Sequence, residues 1–309
     1  MNNKGNLGKL SYKQLTPENI KRVYRLFEGN INFFTLPFDY FQRGSLEDAG
    51  FEQELSFFLF NSETNQPIAA FITVTRKNAN SIHCFLKGCV VDSDYREHGV
   101  GSKIVTEILK RAKEKNISEI FYGASVPNYW QPGVDVRHTS LFFFLKKHGF
   151  KSHRPIFNLT ASLTEVKNKP ALEKNGYRYE RVQSKDFNNT LRFVKKQFPR
   201  GTWAEEVQLS FKIDPPTTFI AKNIKNEIFG FSTHSQFYPG SFGPTGVLES
   251  LRGKSIGTQL FFLCLWDMKQ NGLNTCEIMW VGGDTIKFYS KVIGAYISPI
   301  FYPMYKKIK

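Results

Sequence analysis

The chain has 309 residues, 41% of them hydrophobic, which is long enough to bury a sizeable core and predicts about two domains. No apolar stretch approaches the roughly 20 residues that a membrane span needs, and the N-terminus lacks the apolar region of a signal peptide, so we expect a cytoplasmic protein without a membrane segment. The net charge of +15 is spread along the chain in pairs such as Lys146–Lys147, which favours a solvated surface over a nucleic-acid partner and argues against polycationic substrates.

Cysteines and histidines indicate neither disulfides nor a metal site. No two of the four cysteines form a CxxC pair, and the six histidines do not cluster with carboxylates. We therefore expect reduced, buried thiols, as is usual in the cytosol, and no bound metal. The cysteines are Cys84, Cys89, Cys264 and Cys276.

The predicted elements of the first half begin with a strand and a helix in residues 12–27. Three apolar stretches then predict strands, and the third leads into the turn YREHGVGS at 95–102. An amphipathic helix follows this turn, and after it come a strand, a second helix that ends at a glycine, and a closing strand. In order, the apolar segments are LSFFLFN (55–61), IAAFITV (68–74), GCVVD (88–92), EIFYGASV (119–126), LFFFLKKHGF (141–150) and RPIFNL (154–159).

The second half repeats this order of elements. A strand and a helix in residues 179–198 precede three strand segments, and the turn LRGKSIGT at 251–258 again opens an apolar helix. The other segments of this half are TTFIAKN (217–223), EIFGFST (227–233), FGPTGVLE (242–249), EIMWVG (277–282), IKFYSKVIGA (286–295) and SPIFYPM (298–304).

The helices that follow the two turns share one register. Counted from Gly101 and from Gly257, apolar residues recur at +3, +4, +7, +8 and +11, which is one face of a helix. A repeat of this size indicates two copies of one mixed α/β domain, and we place the boundary in the polar segment 164–176, giving domains 1–165 and 166–309. The matched positions are Ile104, Val105, Ile108, Leu109 and Ala112 in the first helix, and Leu260, Phe261, Cys264, Leu265 and Met268 in the second.

A turn that leads from a strand through glycines into a helix aims backbone N–H groups at one point. The helix dipole adds partial positive charge there, and glycine lets a bulky phosphate approach the backbone, so each turn predicts an anion site. Arg96 and Arg252 add a formal charge, and Ser255, which replaces the glycine found at 99, keeps its N–H. Neither turn is a Walker loop or a Rossmann fingerprint, because neither contains GxxxxGK[ST] or GxGxxG.

Two longer segments carry a family resemblance. VVDSDYREHGVGSKIVTEIL (90–109) and GVLESLRGKSIGTQLFFLCL (246–265) resemble the acetyl-CoA signature of the GNAT acyltransferase superfamily, in which (R/Q)xxGx(G/A) opens a helix after a strand. HGF (148–150) and FYSKVIGA (288–295) resemble that family's late FYxKxGF element. The resemblance spans essentially the whole chain, and it implies two tandem GNAT-like domains, each a mostly antiparallel, splayed sheet with flanking helices, that use acetyl-CoA.

In this family the turn amides bind the pyrophosphate of coenzyme A. The preceding strand pairs with the pantetheine arm, and one of its N–H groups faces the thioester oxygen, where it can stabilise an oxyanion. The resemblance assigns these roles to Val91, Arg96, Glu97, His98, Gly99, Val100, Gly101 and Ser102, and to Val247 or Leu248 with Arg252, Gly253, Lys254, Ser255, Ile256, Gly257 and Thr258.

The resemblance also suggests where the chemistry lies. A tyrosine on the late helix often protonates the departing thiolate, and Tyr289 matches that position, whereas Leu145 in the first half cannot donate a proton. The second domain is therefore expected to be catalytic, with Glu249 or Asp284 as the base, because they are the carboxylates closest to the inferred cleft. The first domain would then be structural, shape the substrate or hold a second coenzyme.

The implied function is transfer of an acetyl group from acetyl-CoA to the primary amine of a small molecule by direct attack, with an amino sugar as the first candidate. Two alternatives remain: a catalytically impaired coenzyme A sensor or scaffold, and a transferase that uses aminoacyl-tRNA, although two retained turns favour coenzyme A. Segment 128–138 is either a loop near the acceptor cleft or a packing loop. A monomer and a homodimer are both left open.

Overall fold

The computed structural model describes residues 9–78, 81–199 and 201–308. Sixteen strands and eight α-helices lie in these described ranges. In chain order they are β1 (Leu10–Gln14), α1 (Ile20–Asn30), α2 (Phe38–Gly44), β2 (Phe57–Asn61), β3 (Gln66–Asn78), β4 (Ser81–Val91), α3 (Val100–Glu114), β5 (Glu119–Tyr122), β6 (Val134–Asp135), α4 (Thr139–Lys147), β7 (Lys151–Ser152), β8 (Ile156–Ser162), β9 (Glu173–Lys174), β10 (Tyr177–Arg181), α5 (Phe187–Gln197), α6 (Trp203–Ser210), β11 (Thr218–Lys222), β12 (Ile228–His234), β13 (Ser241–Val247), α7 (Ile256–Gln270), β14 (Thr275–Val281), α8 (Asp284–Ile293), β15 (Tyr296–Tyr302) and β16 (Met304–Lys307).

The chain divides into two compact units. Unit 1 comprises the described residues of the ranges Met1–Ser125, Tyr129–Pro155 and Phe301–Lys309, and unit 2 those of Val126–Asn128 and Ile156–Ile300. The predicted closing strand of the first half, β8, is therefore counted with unit 2, and the last strand of the chain, β16, with unit 1. The sequence-based boundary between residues 165 and 166 stays a prediction.

Unit 1 is built on a sheet with the strand order β1-β2-β3-β4-β5-β16-β7. All neighbouring strands are antiparallel except β4 and β5, which run parallel. The register of β4 with β5 ends where Leu86 pairs with Tyr122, yet β4 continues to Val91. The two strands therefore splay apart beyond Leu86, and this opening positions the candidate site.

Apolar layers cover both faces of the unit 1 sheet. Along β2, Phe57 and Leu59 face the layer that contains α3, while Phe58 and Phe60 face the layer that contains α1 and α2. This alternation is the period-2 pattern of a strand buried on both sides. The predicted face of α3 is confirmed: Ile104, Val105, Ile108 and Ala112 are all buried, and Leu109 packs against them.

Unit 2 repeats the plan. Its strands follow the order β15-β8-β14-β13-β12-β11-β10-β9, and β13 runs parallel to β14 through the pairs Ser241–Glu277 and Phe242–Ile278. Beyond Phe242, β13 continues to Val247, so these strands also splay. The predicted face of α7 is confirmed, because Leu260, Phe261, Cys264, Leu265 and Met268 are all buried. The expected mixed, mostly antiparallel sheet with flanking helices is present in both units.

The sequence analysis missed one helix in each half. Helices α2 and α6 follow the first helix of each repeat and contribute Phe41 and Val207 to the apolar layers. They contain seven and eight residues, too few for a helical period to stand out in an aromatic sequence. Within the described ranges, no helix is long and apolar enough to cross a membrane.

Candidate active site

The two turns have the same backbone conformation with glycine at different positions. In the first turn, φ is +66° at Glu97 and +77° at Gly99; in the second, it is +84° at Gly253 and +62° at Ser255. Each turn thus places two residues in the left-handed region, one glycine and one residue with a Cβ. Ser255 takes the conformation of Gly99, so the second turn keeps its shape without the second glycine.

Each turn ends as the N-cap of a helix. Gly99 caps α3 and Ser255 caps α7, both in the left-handed conformation. The first amides of a helix have no carbonyl partner within it, so each turn presents N–H donors to an anion. A Cβ on Gly99 would meet open space, whereas a Cβ on Gly101 would lie 3.1 Å from the ring of Phe144. The turn therefore comes closer to α4 at Gly101 than at Gly99, and a side chain at Gly101 would have little room.

The two arginines of the turns differ in their contacts. Arg96 donates from Nε to the carbonyl oxygen of Val91 (3.0 Å) and from Nη2 to the backbone oxygen of Asn30 (3.2 Å). These bonds join the first turn to the end of β4 and to the C-terminus of α1. Nη1 of Arg252 lies 3.5 Å from Oε1 of Glu249, and both side chains are exposed, that of Arg252 to 66%. Hydrogen bonds from Arg96 therefore hold the first turn against β4 and α1, whereas the side chain of Arg252 in the second turn lies mostly in solvent.

A cavity of about 700 Å³ opens in unit 1 between the splayed part of β4, the first turn and helices α1 and α4. It is lined by the turn residues Arg96, Glu97, Gly99, Gly101 and Ser102 and by the strand residues Lys87, Gly88, Cys89, Val90 and Val91. The amides of the turn and the edge of β4 that has parted from β5 therefore line the same cavity. This is the arrangement expected for a phosphate-bearing ligand with an extended amide arm.

Lys87 brings a buried positive charge to this cavity. Its side chain is fully buried, and Nζ lies 3.2 Å from Oδ2 of Asp48, which also receives two hydrogen bonds from Arg76. Burial lowers the pKa of Lys87 to about 8 against the opposing charge of Asp48. Burial alone would raise the pKa of Asp48, but Lys87 and Arg76 outweigh it and hold that pKa below its usual value.

The cavity also holds two weak acids that stay protonated. Burial raises the pKa of Cys89 to about 12, although a hydrogen bond with Tyr122 opposes the shift. Burial raises the pKa of Tyr122 well above the ordinary value for a phenol. At neutral pH both groups are proton donors or neutral contacts, and neither is a base.

Segment 128–138 lies at the far side of the same cavity. Trp130, Gln131, Arg137 and His138 line the space. Trp130 is also part of the apolar layer, stacked on Phe41 with ring centroids 5.1 Å apart. The segment therefore packs in the apolar layer and also lines the cavity, so it has features of both a packing loop and a cleft loop.

The residues expected to be catalytic lie elsewhere. Tyr289 is 6% exposed in the core of unit 2, in edge contact with Phe261 (5.0 Å) and Phe242 (6.0 Å), and burial raises its pKa. Glu249 is exposed beside the second turn, and Asp284 is exposed in the first turn of α8. Their roles stay predictions.

Leu145 and the splayed strand of unit 2 complete this comparison. Leu145, matched in sequence to Tyr289, is fully buried, and its neighbour Phe144 lines the cavity instead. In unit 2, a Cβ on Gly246 of β13 would lie 2.5 Å from the ring of Phe198, so that ring lies directly on the splayed strand. Val247 packs into the core beside it, and the N–H of Leu248 donates to the carbonyl oxygen of Phe229 (2.9 Å).

Comparison with known proteins agrees with this geometry. Residues 21–131 match the model of the Acetyltransferase (GNAT) family. No curated protein matches the chain. The matched range covers most of α1, the splayed strands and the first turn, whereas α4, which also lines the cavity, lies beyond it.

Three solved structures show the same fold over nearly the whole chain. A glucosamine N-acetyltransferase region in a fungal multi-domain β-N-acetylglucosaminidase is 17% identical over 97% of this chain and 38% of that one, with a TM-score of 0.73. A GCN5-related N-acetyltransferase from Sphaerobacter thermophilus is 16% identical over 97% and 96%, with a TM-score of 0.64. A tandem GNAT protein from the clavulanic acid biosynthesis pathway is 13% identical over 97% and 99%, with a TM-score of 0.70. The tandem GNAT fold predicted from the sequence is confirmed.

Proposed function

Because residues 21–131 match the model of the Acetyltransferase (GNAT) family and the chain shares the fold of a tandem GNAT protein, we propose that unit 1 transfers an acetyl group from acetyl-CoA to the primary amine of a small molecule. The observation that carries this proposal is the cavity of about 700 Å³ in which the first turn, the free edge of β4 and segment 128–138 meet. The proposal moves the chemistry from Tyr289, where the sequence placed it, to unit 1.

The donor end of the cavity fits acetyl-CoA. The amides at the start of α3 would hold the pyrophosphate, and Arg96 keeps the turn in place through Val91 and Asn30. The splayed part of β4, from Lys87 to Val91, offers backbone groups to the amides of the pantetheine arm. An N–H on this edge would face the thioester oxygen and stabilise the charge that develops there during attack.

The acceptor end is aromatic and polar. Phe33, Trp130 and His138 line it together with residues of α1. An amino sugar is the first acceptor to test, because the fold is shared with a glucosamine N-acetyltransferase region. Fold similarity alone does not carry a substrate, so this choice rests on analogy.

Calorimetric titration with acetyl-CoA tests which unit binds the donor. We compare wild type with Gly101→Glu and Gly257→Glu, each of which places a carboxylate in one turn. Gly101→Glu should abolish binding, because the new side chain would crowd Phe144, 3.1 Å from a Cβ at this position, and repel pyrophosphate. Gly257→Glu should bind like wild type. Thr106→Glu, an exposed position on the same helix as Gly101, controls for added charge.

Each other result has a definite meaning. Loss of binding only in Gly257→Glu would return the donor site to unit 2. No binding by wild type would overturn the acetyl-CoA assignment and favour the aminoacyl-tRNA alternative. Binding without release of free thiol in the presence of glucosamine and a panel of primary amines would identify a sensor rather than an enzyme.

A further inference from the structure

A second cavity in unit 1 lies beside the C-terminal half of α3, away from the donor turn. Its volume is about 790 Å³, which is within the range of small-molecule sites. Lys110, on its lining, is nine residues beyond Gly101, which corresponds to about 14 Å along the helix axis. The lining consists of Leu109, Lys110, Lys113, Gly149, Lys151, Tyr305, Lys306, Lys307 and Ile308.

Every charged residue of this lining is a lysine, and within the part of the chain that the structure describes no carboxylate belongs to it. The five lysines come from α3, β7 and β16, which are far apart in sequence, so the fold brings together charges that the sequence spreads out. By contrast, Lys115 of the loop after α3 lies 3.2 Å from Glu52 and 2.6 Å from Glu54, and it is not part of the lining.

The cavity lies where the edge of the sheet is open. Among the described strands, β7 pairs with β16 only through Ser152–Met304 and Lys151–Tyr305, so that side of β16 has no partner strand beyond Tyr305. Lysines at a strand edge commonly prevent pairing with other chains. This does not explain the lysines at 110 and 113, which belong to a helix.

The contacts of Lys306 indicate a positive local potential. Its Nζ donates to the carbonyl oxygen of His148 (2.8 Å), the C-cap of α4. Burial lowers the pKa of His148, and the charges of Lys147 and Lys306 lower it further. An ammonium group has three N–H donors, so Lys306 can donate to a ligand while it keeps its bond to His148.

The composition of the lining favours phosphate over carboxylate as the bound anion. Lysine is a point charge that fits phosphate groups in many orientations, whereas carboxylates are well matched by the paired N–H groups of arginine, and no described arginine lines this cavity. Like charges around one concave surface repel each other, and a bound anion removes this repulsion. A chain of three phosphates carries about four negative charges near neutral pH, which is close to the charge of the lysines.

We propose that this second cavity binds a polyphosphate chain, either as a free anion or as the tail of a nucleoside triphosphate. The site goes beyond the proposed acetyl transfer and does not depend on it, because it shares no lining residue with the donor cavity.

Calorimetric titration with inorganic tripolyphosphate, without added metal ions, tests the proposal. The test variant is Lys110→Gln/Lys113→Gln, in which both replaced side chains are exposed on α3. It should bind about tenfold or more weakly than wild type, because each lysine supplies a charge-assisted contact. The control Lys195→Gln/Lys196→Gln removes two exposed lysines from the last turn of α5 and should bind like wild type. Circular dichroism of each variant checks that the helices are retained.

The donor turn is a second place where phosphate could bind, so the titration is repeated with Gly101→Glu. Binding that survives in this variant and weakens in Lys110→Gln/Lys113→Gln supports the proposal, whether or not the protein binds acetyl-CoA. Absence of binding to wild type, equal weakening in the two lysine variants, or loss of binding only in Gly101→Glu would overturn it.

Adenosine triphosphate in place of tripolyphosphate distinguishes the two sources of the chain. Equal affinities would support recognition of the phosphates alone, and tighter binding of the nucleotide would support a nucleoside triphosphate. A single-stranded oligonucleotide that binds through the same lysines, while tripolyphosphate does not bind, would overturn the proposal in favour of nucleic acid.

Discussion

The two units share a fold, a turn and a splayed pair of strands, but they differ in what surrounds the splay. In unit 1, Arg96 braces the turn, and the splay opens into a cavity that contains Lys87 and His138. In unit 2, Arg252 lies in solvent and Tyr289 is buried in the core. An aromatic ring lies against a glycine of the splayed strand in both units, Phe27 at Gly88 and Phe198 at Gly246. A family signature thus reports the backbone of a turn, whereas the contacts of its side chains differ between the two copies.

The largest expected effect is on stability, when a buried ion pair of unit 1 is broken. Breaking an exposed ion pair of unit 2 is the comparison. Asp48→Ala removes the carboxylate that faces the fully buried Lys87, and breaking a buried ion pair in this way costs about 3–5 kcal/mol of stability. Glu249→Ala removes the partner of Arg252 at the surface and should produce no measurable change. Denaturant unfolding of both variants checks this, and equal effects would contradict the difference in burial.

The second expected effect is the pH dependence of stability that a buried carboxyl of unit 2 produces. Burial raises the pKa of Glu206 to about 7, against a hydrogen bond from Thr202 (2.7 Å). The folded state therefore keeps a proton that the unfolded state loses above about pH 4.3, so stability falls between that pH and about 7, by up to roughly 3 kcal/mol. Glu206→Gln should remove this slope and raise the melting temperature at pH 8. A variant as pH-sensitive as wild type would show that another group is responsible.

A smaller effect follows from exchanging residues between the turns. Gly99→Ser places a Cβ in the left-handed region and should destabilise the protein by about 1 kcal/mol, although the side chain would meet open space. Ser255→Gly relieves the same strain, but the added freedom of the unfolded chain offsets about 0.4–1 kcal/mol, so its net effect should be close to zero. Chemical denaturation measures both changes. A large loss in Ser255→Gly would mean that the serine side chain has a role of its own.

The smallest expected effect concerns the rate of acetyl transfer when Tyr289, the acid predicted from the sequence, is replaced. Tyr289→Phe keeps the packing against Phe242 and Phe261 and removes only a buried hydroxyl. If unit 1 carries the chemistry, the rate of acetyl transfer should not change. A loss on the scale of about 100-fold, as when an acid or base is removed, would return catalysis to unit 2.

The sequence predicted well wherever periodicity or glycine restricts the backbone. The apolar faces of α3 and α7 and the two turns that begin these helices could be predicted from residue spacing, because a buried helix face and a helix start each require particular residues. Ser255 was the exception to the glycine pattern, and its φ of +62° shows that the turn accepts serine.

The cavity could not be predicted in the same way. Lys87 lies in a strand with no local sign that its charge is buried, and its partner Asp48 is 39 residues away in sequence. His138 ends segment 128–138, for which the sequence left a loop near the acceptor cleft and a packing loop both open, and only the structure places it in the lining of the cavity. Long-range packing sets both features, and a single sequence carries no local signal for it.

The placement of β16 has a consequence for synthesis on the ribosome. This strand lies between β5 and β7 in the sheet of unit 1, although residues 304–307 are translated after all of unit 2. Until then, the nascent N-terminal portion exposes two unpaired strand edges, which are sites for mispairing and aggregation. The elements around the cavity are thus translated early, but their sheet is completed last, and a chain cut short before residue 304 would lack the strand that joins β5 to β7.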